Sequence, residues 1–499
     1  MASWIGVAVL AGCCACVPPT LVLGSIDAQN TSGVDPTTPG SSSEGSPLDL
    51  PPNEVCDPEL GCQNKLDLLF VIDNSGTMGE EQLNLARNLP ALIEQLQGLE
   101  DGEGHRVGAD VNVMVTTTDI GQNPSCFGPW VHPGYTAARG APISTPCTER
   151  LGGFVGAGDV SLAAACTSVC DPMAPAAPTD QFLHFDRNGN NVVGGDPADA
   201  LACIGPQGID GCGYEATLEA MLQALNPDAC WNDPAGCDDP EWDWIDKPVL
   251  RDNSVLAIAL ITDEADCSVR DFNIMSDVDF MEVDPRSMMP EPSSAICWNA
   301  GVECGGLDPA SGEYASCTAT NRDRDGIPGV PDEVAVLHPL SRYLVLLDKL
   351  REDHEVIMLG VLGVPEVTQH APEPPYQPTM GGVAALTYRD WRDGQFPDGD
   401  ILPAEWASGT TAAEKQFEFG IGPGCTSYNQ GSDTSRGQAI PPVRVRSVCE
   451  SLNRADDPAT PDVDETAIRC CIESICGVDF SPAIYCLTGL IEAALVPVE

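Results

Sequence analysis

The chain has 499 residues, 42% of them hydrophobic, enough to bury a real core, so it is not a wholly disordered polymer. Its 75 acidic and 23 basic residues leave a net charge of −52, which excludes nucleic acid as a partner, because phosphate is held by Lys and Arg. The charge equally excludes electrostatic docking on anionic lipid, and it favours solubility and the binding of cations.

The N-terminal run MASWIGVAVLAG is apolar but too short to span a bilayer. It ends in Leu10-Ala11-Gly12-Cys13, which resembles the bacterial lipobox, although no Lys or Arg precedes the apolar run. That resemblance implies a signal segment over 1–13, lipidation of Cys13, and, with Cys14 next, anchoring at the outer membrane. Any contact with a membrane is then expected only through this lipid. Residues 14–54 are rich in Pro, Ser, Thr and Gly and read as a disordered tether.

The body, 55–499, alternates strands and helices. Leu66 to Ile72 is an apolar run of the kind buried on both faces of a parallel sheet. A turn follows at Asp73 to Gly79, then an amphipathic helix over 80–96 carrying Leu83, Leu85, Leu89, Leu92, Ile93 and Leu96. A second strand, 111–118, closes with Asp119, completing a βαβ unit. Further helices are expected at 214–225, 337–350, 443–452 and 483–495, and further strands at 254–262, 356–362 and 467–475. Loop-rich insertions separate these elements near 120–210, 226–250, 264–335 and 364–440. The expected fold is α/β: an open, doubly wound, mostly parallel sheet with large disulfide-rich insertions. Twenty of the 23 cysteines lie between Cys56 and Cys486, which points to oxidising export and a disulfide framework. Cys56–Cys62 and Cys230–Cys237 read as locally closed loops. Zinc would need paired Cys-x-x-Cys spacings, and these are absent.

Asp73, Asp119 and Asp263 each follow a predicted strand, so they are expected to share the rim beyond the strands' carboxyl ends, where ligands bind in such sheets. Asp73-x-Ser75-x-Thr77 gathers one carboxylate and two hydroxyls, an oxygen set suited to a hard divalent cation. With Asp263 the protein would supply two negative charges, leaving the metal able to accept a partner's oxygen, best a carboxylate. Alternatively, Ser75 or Thr77 could cap the following helix. The turn, together with Ile261-Thr262-Asp263-Glu264, resembles the von Willebrand factor A family, and more particularly its cysteine-rich secreted bacterial members. The resemblance implies adhesion through Mg2+, Mn2+ or Ca2+, with an extracellular or envelope protein or glycan as the partner and no catalysis. The family adds a Thr from a second loop. Gly211-Cys212-Gly213-Tyr214-Glu215 has none, and Glu215 or water would replace it.

Asn321, Asp323, Asp325, Ile327 and Asp332, with Gly326 at the sixth place, have the spacing of a calcium loop and resemble thrombospondin type 3 and dockerin loops. Asp186-x-Asn188-x-Asn190 is a shorter oxygen cluster of the same kind. Two other functions stay open. One is a structural envelope lipoprotein with a degenerate metal site. The other is a phosphatase resembling the haloacid dehalogenases, in which Ser75 would occupy the acid/base position. The six histidines show no metalloprotease spacing, and no phosphate-cradling Gly-rich loop is present.

Overall fold

A computed structural model describes residues 65–99, 109–121, 135–156, 160–237, 242, 245–392, 411–426, 438–453, 467–477 and 479–495. The lipobox with Cys13, the tether and the Cys56–Cys62 pair lie outside these residues.

The central sheet has seven strands. In chain order they are β1 (Lys65–Ile72), β2 (Asp110–Thr117), β3 (Leu183–Asp186), β4 (Gly189–Asn190), β5 (Val255–Ile261), β6 (Glu355–Leu362) and β7 (Cys470–Ser474). Their spatial order is β7-β6-β5-β1-β2-β3-β4. The five strands from β7 to β2 are parallel, and β3 and β4 join antiparallel at the edge beside β2. Helices cover both faces: α1 (Gly79–Gln97), α2 (Pro197–Ile204), α3 (Thr217–Ala224), α4 (Leu340–Leu350), α5 (Val443–Glu450) and α6 (Ser481–Leu495).

Alternation along the strands sends neighbouring side chains to opposite faces, so the apolar run of each parallel strand feeds two cores. Leu66, Leu68, Phe70 and Ile72 of β1 pack with Leu89, Leu92 and Leu96 of α1 and Leu490 of α6. Leu69 and Val71 pack on the other side with Leu218 of α3, Tyr343 of α4 and Val448 of α5. Every residue of β5 is buried.

Every described cysteine is disulfide-bonded. Cys230–Cys237 closes its short loop as its spacing predicts. Cys166 and Cys170 pair separately, with Cys147 and Cys203. Consecutive residues of the edge strand β7 are stapled in opposite directions: Cys470 to Cys449 of α5, and Cys471 to Cys486 of α6. The same period-2 geometry that divides the core therefore lets one Cys-Cys pair fix a helix on each face. This framework is that of an extracytoplasmic protein, and no helix among the described residues is long and apolar enough to cross a membrane.

The first insertion is more than loop. It supplies β3 and β4, whose turn uses the Asp186 carboxylate to accept the Asn188 and Gly189 N–H groups at 2.7 and 2.9 Å. Asp186-x-Asn188-x-Asn190 is thus a hairpin turn. The insertion also supplies α2, which starts with an Asp196–Asp199 capping box and packs against α1.

At the opposite end of the strands from the candidate site, Arg251 ties β1 to β2. Its Nε donates to Asp67 at 2.7 Å, its Nη1 to Asp110 at 2.5 Å, and its Nη2 to the Leu66 and Asp110 carbonyls at 3.0 and 2.9 Å. Burial pushes the Asp67 carboxyl up, and the nearby guanidinium opposes that rise. Replacing Arg251 with Met strands the Asp67 charge in the interior, so urea unfolding should detect a loss of about 3–5 kcal/mol; an unchanged midpoint would remove this clamp from the stability argument.

Candidate functional site

β1 lies between β2 and β5, where the chain's crossovers part to opposite sides, so the crevice beyond the carboxyl ends of β1 and β5 is the topological switch point. The parallel ladder runs one residue past each strand. Asp73 N–H donates to the Ile261 carbonyl at 2.9 Å, Thr118 N–H to Ile72 at 3.2 Å, and Thr262 N–H to Val361 at 3.2 Å. This register brings Asp73, Thr118 and Thr262 into one row, with Asp119 and Asp263 next to it.

Asp73 is fully buried and held from several sides. Its Oδ1 accepts the Ser75 N–H at 2.7 Å, its Oδ2 accepts the Thr262 hydroxyl at 2.6 Å, and its carbonyl accepts Gln82 Nε2 at 2.7 Å. The Ser75 and Thr77 hydroxyls lie 3.0 Å apart, and Thr77 also bonds Asp263. α1 starts at Gly79, and its N-cap residue, Met78, offers no side-chain cap. Asp263 and Asp73 interact directly through their side chains. The expected convergence of Asp73, Ser75, Thr77 and Asp263 is therefore realised.

Glu215 enters from the loop before α3. One of its oxygens takes the Thr118 hydroxyl, while its backbone is fixed by Ala216 N–H donating to the Thr118 carbonyl and Cys267 N–H donating to the Glu215 carbonyl. It stands where the expected second-loop Thr is missing. A Cβ at Gly211 would run into the Asn74 side-chain amide, so a larger residue there would displace that amide. Asp119 shares the rim but not the task. Its oxygens accept Gly121 N–H at 2.7 Å, Cys212 N–H at 3.2 Å and the Tyr135 hydroxyl at 2.9 Å, so it braces the loops. Sequence reasoning passed over Thr118, Thr262, Gln82 and Glu264 as contributors, although three of them adjoin the aspartates singled out.

The electrostatics are those of a site short of positive charge. Burial pushes the Asp73 carboxyl up to about 6, against the hydrogen bonds from Thr262 and Ser75. Burial, then the negative charges of Asp73, Glu264 and Glu81, push Asp263 well up. Burial and Asp73 do the same to Glu215. Glu264 rises to about 8 through burial and its acidic neighbours, Asp73 first, with Lys415 opposing. Two carboxylate oxygens, Asp263 Oδ1 and Glu215 Oε1, are buried without any partner.

An all-oxygen donor set with two orphaned carboxylate oxygens fits a hard divalent cation. The fit is open rather than tight. Among the described residues, the only three His, Cys, Asp or Glu side chains whose ligand atoms all lie within 4.8 Å are Cys471, Glu473 and Cys486, and two of those are joined in a disulfide. Asp73, Asp263 and Glu215 are more widely spread, so at least one would reach a cation through water while Ser75 and Thr77 supply hydroxyls.

The segment from Asn321 to Asp332 folds as a compact turn. Asp323 Oδ1 accepts the Asp325 and Ile327 N–H groups, both at 3.0 Å, and the Ile327 carbonyl accepts Asp323 N–H at 3.2 Å. Asn321 Nδ2 donates to Asp332 Oδ1 at 2.7 Å, and Ser341 donates to the other oxygen. The first and twelfth positions are brought together, with their side chains bonded to each other.

Comparison with models of known protein families and with curated proteins found no match to this chain.

The sign of the pH response follows from the raised carboxyls. The cation-free fold binds more protons than the unfolded chain between the ordinary carboxyl range and about 6 for Asp73 or about 8 for Glu264. Its stability therefore declines as pH rises through that window, and a cation can replace the lost protons only above it. Calcium or manganese should raise the melting temperature more at about pH 8 than at about pH 5, and Asp263→Asn should reduce the gain. Equal gains at both pH values would contradict this account.

Proposed function

We infer that this is an extracytoplasmic binding protein of the von Willebrand factor A type, which uses a divalent cation at the sheet's rim to engage an oxygen group on a protein or glycan. The observation that carries the reading is the meeting of Asp73 with Asp263 at the switch point, where Asp263 Oδ1 is buried without a partner. The doubly wound parallel order supports the same fold type. When bound, Mg2+, Mn2+ or Ca2+ would supply an electrophilic centre for a partner's oxygen. The chain's own residues orient the donors. Ser75 N–H and Thr262 fix both Asp73 oxygens, and Ile440 N–H fixes the Asp263 carbonyl at 2.7 Å.

In this reading Cys13 is lipidated and residues 14–54 hold the body away from an outer membrane. Incorporation of an alkynyl fatty acid that disappears in Cys13→Ala protein tests the anchor.

The cation role is tested with immobilised chain and two probes, purified peptidoglycan and detergent-extracted outer-membrane protein from a Gram-negative bacterium. Retention of either probe in MnCl2 should fall at least about tenfold in EDTA and in Asp73→Ala protein. Retention that ignores both changes would overturn the cation-bridged reading. Absence of manganese uptake by calorimetry would favour a purely structural envelope protein.

A further inference from the structure

The family pattern that the turn resembles offers two carboxylates to a dication. Here the count differs. Asp73, Asp263 and Glu215 are 0%, 4% and 1% exposed, and each of the latter two feels the charge of Asp73. Glu264 is also buried beside Asp73, but Lys415 acts against it. A dication that displaces the protons of the other three would leave the rim with a net negative charge. An incoming carboxylate would then meet repulsion from Glu215 at the position where a neutral hydroxyl was expected.

A cavity of about 500 Å3 opens beside this rim, bounded by Asn74, Thr117, Tyr135, Arg150, Gln207 and Asp210 among others. Asn74 sits within the metal-binding turn itself, so cavity and cation site share a wall. Its volume is within the range of small-ligand sites. Its one guanidinium is spent: Arg150 donates to the carbonyls of Thr145, Ile204, Pro206 and Gln207 at 3.2, 3.3, 2.6 and 3.2 Å. Little donor capacity is left to clamp an anion, and Glu149 and Asp210 on the same wall add negative charge. The Asn74 amide, the Tyr135 phenol and the Gln207 amide also donate elsewhere, while Asn74 Oδ1, Thr117 Oγ1 and Gln207 Oε1 are buried without partners; such free acceptors match hydroxyl donors rather than an anion.

We propose that this rim and cavity take a neutral, hydroxyl-bearing ligand, a sugar unit of a glycan, in preference to a carboxylate. The proposal rests on the cation reading above and narrows the partner from protein or glycan to glycan. Glu215 sets the discrimination by filling the second-loop position with charge, and the cavity beside Asn74 seats the ring.

The test is water-proton relaxation on the full chain loaded with Mn2+, titrated with glucose, galactose, mannose and N-acetylglucosamine in one series and with acetate in another. At least one sugar should displace manganese-bound water, and acetate should leave the signal unchanged. Glu215→Thr should raise the apparent affinity for acetate by about tenfold. Glu215→Gln, which keeps the shape and removes the charge, should do the same if the Thr protein folds poorly. Ala138→Leu, which fills the cavity, should weaken the sugar effect without reducing manganese uptake. Acetate competing as well as sugar in the unaltered chain, all four sugars failing, or charge removal leaving acetate without effect would each overturn the preference while the cation site stood. A chain that shows no manganese enhancement at all would instead sink the cation reading, and this inference with it.

Discussion

Negative charge crowded out of water at the end of β1 is the constraint around which the rest of the molecule is arranged. Two like charges about 4 Å apart at an effective dielectric of about 20 repel by about 4 kcal/mol, a large fraction of the net stability of a typical domain. The strongest influences on Asp73, Asp263 and Glu215 include no basic side chain. Such a cluster persists only where protons or a cation neutralise it and where the surrounding backbone is over-determined. Both Asp73 oxygens accept hydrogen bonds, and its neighbours Thr118 and Thr262 continue the parallel ladder beyond the strands.

The insertions do the enclosing. Cys267 N–H, from the insertion after β5, fixes the Glu215 carbonyl, and Ile440 N–H, at the end of the insertion after β6, fixes that of Asp263. The first insertion brings Tyr135 to bridge Asp119 and Asn74. The insertions after β5 and β6 carry small cores of their own: Val269, Ile274, Phe280 and Ile296 pack in one, and Trp298, Trp391, Phe419 and Ile421 in another. Disulfides lie within these small cores, Cys267–Cys297 in the first and Cys304–Cys317 in the second, and constrain the segments further. The rim is thus walled by loops that are themselves held covalently.

The parallel framework was legible because its signal is redundant. Continuous apolar runs such as Leu66–Ile72 and Val255–Ile261 admit few readings once a helix with a one-sided apolar stripe follows. Asp73 and Asp263 were legible because strand ends are. What was not legible came from pairing between distant segments. Leu183 to Asp186 is too short to stand out as a strand, and only its pairing with Val111–Val113 makes it one. Asp119 looked equivalent to Asp263 along the chain, and the difference lies in Tyr135, Cys212 and Gly121, which take its oxygens. Glu215 was visible only as the residue occupying a position where a hydroxyl was expected; that its side chain is buried and meets Thr118 is a property of the folded rim.

The division between fixed and free oxygens says how the site can respond. Both oxygens of Asp73 are occupied, and Ser75 and Thr77 are tied to each other and to Asp263. Among the unsatisfied atoms are Asp263 Oδ1 and Glu215 Oε1, on two different segments, and Asn74 Oδ1 within the turn itself. A cation arriving among them can gain the two carboxylate oxygens by side-chain rotation, without shifting the turn after β1. On the proposed cation reading, binding would be a local event between the loop before α3 and the end of β5, above a sheet buried on both faces. In that reading the turn after β1 would be preformed, and Asp263 and Glu215 would be the adjustable ligands. Any coupling to the insertions must run through the backbone at Cys267 and Ile440, the residues whose N–H groups hold Glu215 and Asp263.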